Sequence, residues 1–311
     1  MDDVISELLD TVHLNGVICA RVELSAPWGF QFGPVPGATF YVMKAGAALL
    51  EIAGAPPLRL AAGDYVALPH GSAHVLRDSL STTPEPLVLP DGDHFPPPQT
   101  IRAGGGGAPA ALVGGQLQLD RTRAKGILRV LPEALHVAGV DGEPADALRP
   151  LALAAAREAN QPGPGSAASL TRLAEMLFVL AARAAIARTG DDDAMLRGLA
   201  SAPGVAAALH LVRADPAAPW SLAELSAKVG MSRSAFAAAF KAVLGEAPMQ
   251  YVASLRMARG AELLRAPGLS IAEVAYQVGY ASEIGFARIF KRHFGVAPGA
   301  YRQSRRPRIT A

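Results

Sequence analysis

Along residues 13–90, hydrophobic positions gather in short runs, and Gly or Pro clusters separate the runs. The segments "GVICARVEL", "ATFYVMKAG", "ALLEIAG" and "DYVALP" are rich in β-branched and aromatic residues, the types that suit a pleated, half-buried surface. Short strands between turn signals predict an antiparallel barrel or sandwich. Residues 89–110, "LPDGDHFPPPQTIRAGGGGAPA", hold so much Gly and Pro that they predict a loop or flap. "ALVGGQLQLD" resumes a strand, and "GILRVLPEALHV" predicts a turn and a short helix.

From about Leu148 the period becomes helical. In "AASLTRLAEMLFVLAARAAIART", Leu170, Leu173, Ala174, Leu177, Leu180, Ala181 and Ala184 recur at three- and four-residue spacing. The stripe suits either an intramolecular core or a homodimer face. "RTGDDD" reads as an exposed linker, and everything after it is helical. The segment at residues 2–10 predicts a helix too short to interpret.

The C-terminal region repeats itself at an interval of 49 to 50 residues. Its copies are "SLAELSAKVGMSRSAFAAAFKAVLGEAPMQYV" and "SIAEVAYQVGYASEIGFARIFKRHFGVAPGAYR". Ser221 with Glu224, and Ser270 with Glu273, have capping-box spacing. The first helix of each copy ends at a glycine, Gly230 or Gly279, where a positive φ costs little. A short turn and a second helix follow, so each copy predicts a helix-turn-helix, at about 221–244 and 270–294. Phe236/Phe240 and Phe286/Phe290 stand at i, i+4 and predict core anchors. The opposite faces offer Ser232, Arg233, Ser234 and Lys241 in copy one. In copy two they offer Ser282, Glu283, Gly285, Arg288, Lys291 and Arg292. Arginine pairs bidentately with guanine in a major groove, and lysines and arginines at a helix C-terminus suit phosphates. "MQYVASLRMARGAELLRAP", residues 249–267, predicts a rigid helix between the copies, ended by Pro267. Two reading helices on one rigid body would meet successive major-groove turns.

Charge sharpens that reading. Residues 221–311 carry 13 Lys and Arg against 5 Asp and Glu, a balance of +8, while the other 220 carry 16 against 22, a balance of −6. Only the C-terminal part therefore expects a polyanion. Arg305, Arg306 and Arg308 account for three of these charges, so +5 remains in the repeat. The single cysteine, Cys19, excludes an internal disulfide and any cysteine-built metal site. Its apolar strand favours an inert thiol over a redox sensor. No apolar run is long enough to cross a membrane and no signal peptide is evident, so a cytoplasmic protein with no membrane partner is expected.

The paired motifs, Pro248 and Pro298 after the second helices, and the ending "FKRHFGVAPGAYR" resemble the AraC/XylS family of bacterial transcription regulators. The resemblance covers about 90–100 residues and implies binding to double-stranded promoter DNA. Ala238 stands where that family often has a polar or basic residue, which leaves Arg233 and Ser234 as copy one's base-reading candidates.

"GDYVALPHGSAHVLRD" resembles the second cupin motif, with Gly63, Pro69, Gly71 and His74 at the matching positions. The resemblance implies a two-domain α+β chain. An N-terminal cupin-like β-barrel is followed by helices, and an all-α domain carries the two helix-turn-helix motifs. The expected divisions are 1–145 for sensing, 146–200 for dimerisation and linkage, and 201–311 for DNA binding. It implies a homodimer, a small-molecule effector in the barrel and RNA polymerase as a further candidate partner. Trp28, Phe30, Phe32, Phe40 and His74 are the candidate effector contacts, set against the simpler reading that strand aromatics and His74 are core. The competing reading is a cupin metalloenzyme, an oxygenase or isomerase, with an appended DNA-binding domain. A cupin metal site draws two histidines and a carboxylate from the preceding strand pair. "FQFGPVPGATFYVMKAGAALLEIAG" has no histidine, and His70 does not repair the deficit. No metal, no cofactor and no catalytic residue are expected.

Overall fold

The computed structural model describes residues 4–9, 12, 14–87, 100–119, 124–139, 143–160, 163–189, 202–266 and 268–304. These residues form two compact units. One is Val12–Ala124 with Leu128–Asp193; the other is Met1–Thr11, Lys125–Ile127 and Ala194–Ala311.

The first unit is a two-sheet β structure with helices. Its strands are β1 (Leu14–Ser25), β2 (Gly29–Phe32), β3 (Ala38–Ala45), β4 (Ala47–Ile52), β5 (Leu58–Ala61), β6 (Tyr65–Leu68), β7 (His74–Arg77), β8 (Glu85–Pro86), β9 (Thr100–Gly104), β10 (Pro109–Leu119) and β11 (Leu135–Val137). One sheet has the order β11-β6-β3-β10-β1-β9 and the other β5-β4-β7-β2-β8. Neighbours pair antiparallel, except that β9 lies parallel to β1 and β8 parallel to β2. Residues of alternate parity enter the space between the sheets. Val22, Leu24, Tyr41, Met43, Val66, Leu68 and Leu112 from the first sheet meet Phe32, Ala48, Leu50, Leu60 and Leu76 from the second, together with Trp28.

The end of the expected flap forms two strands around a glycine bend. Arg21–Ser25 of β1 pairs in parallel with Thr100–Gly104 of β9 and antiparallel with the start of β10, long-range pairings that override local Gly content. Residues 89–99 of the flap, the "RTGDDD" linker after Thr189, Pro267 and the Arg305, Arg306 and Arg308 tail lie outside the described residues. The short helix expected in "GILRVLPEALHV" is α2 (Lys125–Leu128), with β11 after it.

Two helices, α3 (Glu143–Asn160) and α4 (Ser166–Thr189), belong with the barrel. The apolar stripe of α4 is core within this chain. Leu170, Ala174 and Leu177 face Ala152 and Ala156 of α3 and Val17, Cys19, Phe40 and Val113 on the outer surface of the first sheet. Ala174, Leu177 and Ala181 are buried there.

In the second unit, α1 (Val4–Leu9) packs against α5 (Pro203–Ala214). Glu7 is nearly buried, and Arg213 donates to its carboxylate at 2.8 Å and to its carbonyl at 2.9 Å. The rest of the unit is α6 (Leu222–Lys228), α7 (Arg233–Leu244), α8 (Pro248–Arg265), α9 (Ile271–Gln277), α10 (Glu283–Phe294) and α11 (Pro298–Ser304). Both serines cap their helices, but the full capping box forms only in copy two, where Ser270 N–H donates to the Glu273 carboxylate at 2.7 Å; in copy one Ser221 Oγ donates to the Glu224 carboxylate at 3.1 Å. Glu224 N–H donates to Ser221 Oγ at 3.1 Å, and Glu273 N–H to Ser270 Oγ at 3.1 Å. Both first helices stop at a glycine in the left-handed region, Gly230 at φ 69° and Gly279 at φ 84°. The centre of the second motif is one cluster: Met257, Ala261 and Leu264 of α8 with Val274, Ala275, Val278, Phe286, Phe290 and Tyr301.

Candidate nucleic-acid interface and barrel cavity

The phenylalanine pairs orient both second helices. Phe236 and Phe240 of α7, and Phe286 and Phe290 of α10, are between 0 and 1% exposed. With those residues inward, the opposite faces must meet solvent. Ser232, Arg233, Ser234 and Lys241 are exposed along α7 and its start. Ser282, Glu283, Arg288, Lys291 and Arg292 are exposed along α10 and its start, whereas Gly285 is half-buried. Among the described residues, none of Arg233, Lys241, Arg288, Lys291 and Arg292 has a carboxylate partner.

Ser232 and Ser282 are N-caps. Ser232 Oγ accepts from Ala235 N–H at 3.2 Å and Ser282 Oγ from Gly285 N–H at 3.1 Å. Ser282 keeps its own hydroxyl proton for another acceptor, whereas Ser232 Oγ also lies 3.3 Å from Ser234 Oγ. Both helices end at a left-handed glycine, Gly245 or Gly295, whose N–H closes on Lys241 or Lys291 carbonyl at 2.8 Å.

One exposed residue of α10 escaped the sequence reading. Ile284 is 83% exposed. It stands four residues before Arg288, which places both on one helix face. Its spacing from Phe286 carries this signal, since a residue two positions from a buried anchor points the other way.

Arg256 of α8 ties the two motifs together. It donates to Pro216 carbonyl at 2.8 Å and Ala218 carbonyl at 2.7 Å, just before the first motif, and its guanidinium lies 5.6 Å from the centre of the Tyr280 ring in the second. Gly279 lies so close to the same segment that a Cβ there would stand 2.5 Å from Ala217 carbonyl.

In the barrel, His74 begins β7 opposite Phe32 and Ile52. Its ring stacks on Phe32 at 4.7 Å and 15°. Ser72 carbonyl accepts at 2.8 Å from Nδ1, so that nitrogen carries the proton. Nε2 is then the acceptor for Tyr41 hydroxyl at 2.5 Å. Burial, 5% exposure in all, holds the His74 pKa below its ordinary value and keeps the ring neutral, the Ser72 contact opposing it less strongly. Burial likewise pushes the Tyr41 hydroxyl well above its usual range.

Beside this pair lies a cavity of about 50 Å³ between the sheets, several times the roughly 10–15 Å³ that one water needs. Its wall is Val22, Leu24, Phe30, Phe32, Leu76 and Leu112, with Thr39 and Tyr41 bringing hydroxyls, and none of its lining residues is charged. Gly114 makes room for Tyr41: a Cβ at 114 would stand 2.8 Å from the tyrosine ring.

The expected effector contacts therefore separate. Trp28 packs in the core cluster, Phe30 and Phe32 line the cavity, and His74 touches two of the lining residues, Phe32 and Tyr41. Phe40 does not join them. It neighbours Thr39 and Tyr41 in β3 and so faces the other way, outward towards α3 and α4 beside Cys19. Burial raises the Cys19 pKa.

A metal does not fit at His74. Both ring nitrogens already have partners, and among the described residues no three His, Cys, Asp or Glu side chains converge as a metal site needs. His70 instead contacts Leu131 carbonyl.

Comparison with known proteins agrees with both halves. Residues 3–187 match a family model described as cupin, and residues 225–304 match one described as helix-turn-helix domain. An AraC-like transcription regulator of Streptomyces antibioticus is 30% identical over 99% of this chain and 99% of its own. The HTH-type transcriptional regulator AlkR of Acinetobacter baylyi is 27% identical over 97% of this chain and 99% of its own. Among solved structures, a regulator with an AraC-type DNA-binding domain from Chromobacterium violaceum is 30% identical. That match covers 35% of this chain and 96% of the other, with a TM-score of 0.33.

Proposed function

Because the chain belongs to the AraC-like transcription regulators, with a cupin N-terminal domain and a helix-turn-helix C-terminal domain, we propose which residues read its promoter and what its barrel senses. The regulator binds DNA; the proposal concerns how. Residues 201–311 bind the duplex, 1–145 sense and 146–200 link and dimerise. Arg288 pairs with a guanine edge in the major groove, and Glu283 faces the duplex from the first turn of α10. Arg233 and Ser234 supply the thinner reading of copy one. Lys241, Lys291 and Arg292, at the helix C-termini, hold phosphates, and the Ser232 and Ser282 hydroxyls donate to the same backbone.

This reading rests on the exposed cations of each second helix, opposite its buried phenylalanines, for which the described residues supply no carboxylate partner. It is tested on the duplexes that the full chain enriches from a randomised library. Arg288→Ala is expected to relax preference at one base pair, at about 1–3 kcal/mol. Lys291→Ala is expected to weaken all sequences alike and lower the salt slope by about one. An unchanged base preference in Arg288→Ala would remove Arg288 from the reading set.

The barrel's effector is a small, uncharged, largely apolar molecule. A charged group entering the cavity would lose its hydration and find no countercharge among the lining residues. The Tyr41 hydroxyl is already bonded to His74. The protein acts without catalysis, in the cytoplasm and as a homodimer, and reaches RNA polymerase from the promoter. Leu153 and Met176, about half exposed on α3 and α4, are the apolar residues those helices leave for a second copy. An effector shifts the regulator only by binding its two states unequally.

A further inference from the structure

The most exposed large hydrophobic side chain among the described residues is Ile284, at 83%, on the second residue of α10. Isolated apolar residues on a surface need no special account; the position of this one does. It shares a helix face with Arg288, one turn on, and with Lys291, two turns on, so it is an apolar residue within a cationic stripe. The N-terminal residues of a recognition helix are those that reach base edges. Copy one has Ser234 at the matching position, and no need to anchor α10 explains the isoleucine, because Phe286 and Phe290 do that from the opposite side.

A major groove offers isoleucine one favourable partner. Beside the hydrogen-bonding groups that every base presents there, thymine alone carries a methyl group, on C5. Pressing isoleucine onto the polar edges would strip their water without replacing it. Pressing it onto the methyl removes two apolar surfaces from water at once. We infer that Ile284 determines specificity by contacting the methyl group of a thymine. Four residues of helix advance about 6 Å, so that thymine lies within about two base pairs of the guanine that Arg288 reads.

The test uses the full chain and the duplex it enriches from a randomised library. Each thymine is replaced in turn by uracil, which deletes the methyl and leaves the pairing intact. One replacement is expected to weaken binding about fourfold, the value of one buried methylene-sized group. With Ile284→Ala, the same replacement is expected to change nothing, and a fresh selection loses thymine preference at that position alone. Ile284→Ser, which copies the residue of the first motif, behaves likewise. Thermal melting of each variant checks that it folds, which its exposure predicts. The inference is overturned if no thymine-to-uracil effect depends on residue 284, or if Ile284→Ala selects the same sequences as the parent. If the parent chain enriches no duplex at all, the DNA-reading roles of α7 and α10 fail with it.

Discussion

His74 shows how far one residue's chemistry can be read from its neighbours. Its sequence context marks a cupin motif, and its lack of upstream histidine partners argues against a metal. The structure supplies what the sequence could not: a carbonyl on one nitrogen, a tyrosine hydroxyl on the other, and a stacked phenylalanine. These have a consequence for pH. The unfolded ring titrates at its ordinary value of 6.5, and burial lowers the folded value. Stability from this site is therefore complete above pH 6.5 and is lost as pH falls from there through the folded pKa. The thermal midpoint of the parent protein is expected to fall between pH 7 and 5 more steeply than that of His74→Gln. Equal slopes, measured by differential scanning calorimetry, would mean that His74 charges freely in the folded barrel. Phe40 marks the limit of residue-level reading. Aromatic character placed it among the cavity candidates, but strand parity decides the face. That parity is fixed by long-range pairing of Phe40 with Gly115 and Ala67.

Among elements, the helices of the second unit were the most legible, because capping, termination and core spacing are all local. Ser221 and Ser270 cap their helices, and Gly230, Gly279 and the phenylalanine pairs do in the structure what their spacing predicts. Strands β9 and β8 were not legible, since each exists only through a parallel partner distant in sequence. Neither was the place of α1, whose six residues carry too little pattern to reveal the Glu7–Arg213 pair. The α8 helix was legible as a connector but not as a clamp. Arg256 makes it one, through two carbonyls and the Tyr280 face. Arg256→Ala is expected to cost about 1–3 kcal/mol, since it removes two charge-assisted hydrogen bonds, although the Ala218 carbonyl keeps the Trp220 N–H. It should also broaden the tolerated spacing between the two half-motifs in selected duplexes. Arg256→Lys should not restore the spacing, because one ammonium cannot reproduce the planar fork. Unchanged spacing tolerance in Arg256→Ala would show that α8 holds the motifs without it.

At the scale of the molecule, the division of charge is the feature that organises function. The repeat carries a positive balance and the remainder a negative one. A polyanion is therefore drawn to the repeat and not to the barrel. The barrel presents the opposite chemistry, an uncharged wall around a small space. Each part was legible in kind from the sequence. What the sequence left open was detail set by packing: which aromatics line the cavity, and which exposed residue joins Arg288.

The proposed rigid, cationic reading surface of α7 and α10 is probed by equilibrium competition by the full-length protein between an enriched duplex and random duplex, repeated across salt concentrations. The enriched duplex is expected to be preferred about a thousandfold or more, with log affinity falling linearly as log salt rises. Equal affinity for enriched and random duplex at every salt concentration would contradict the proposal.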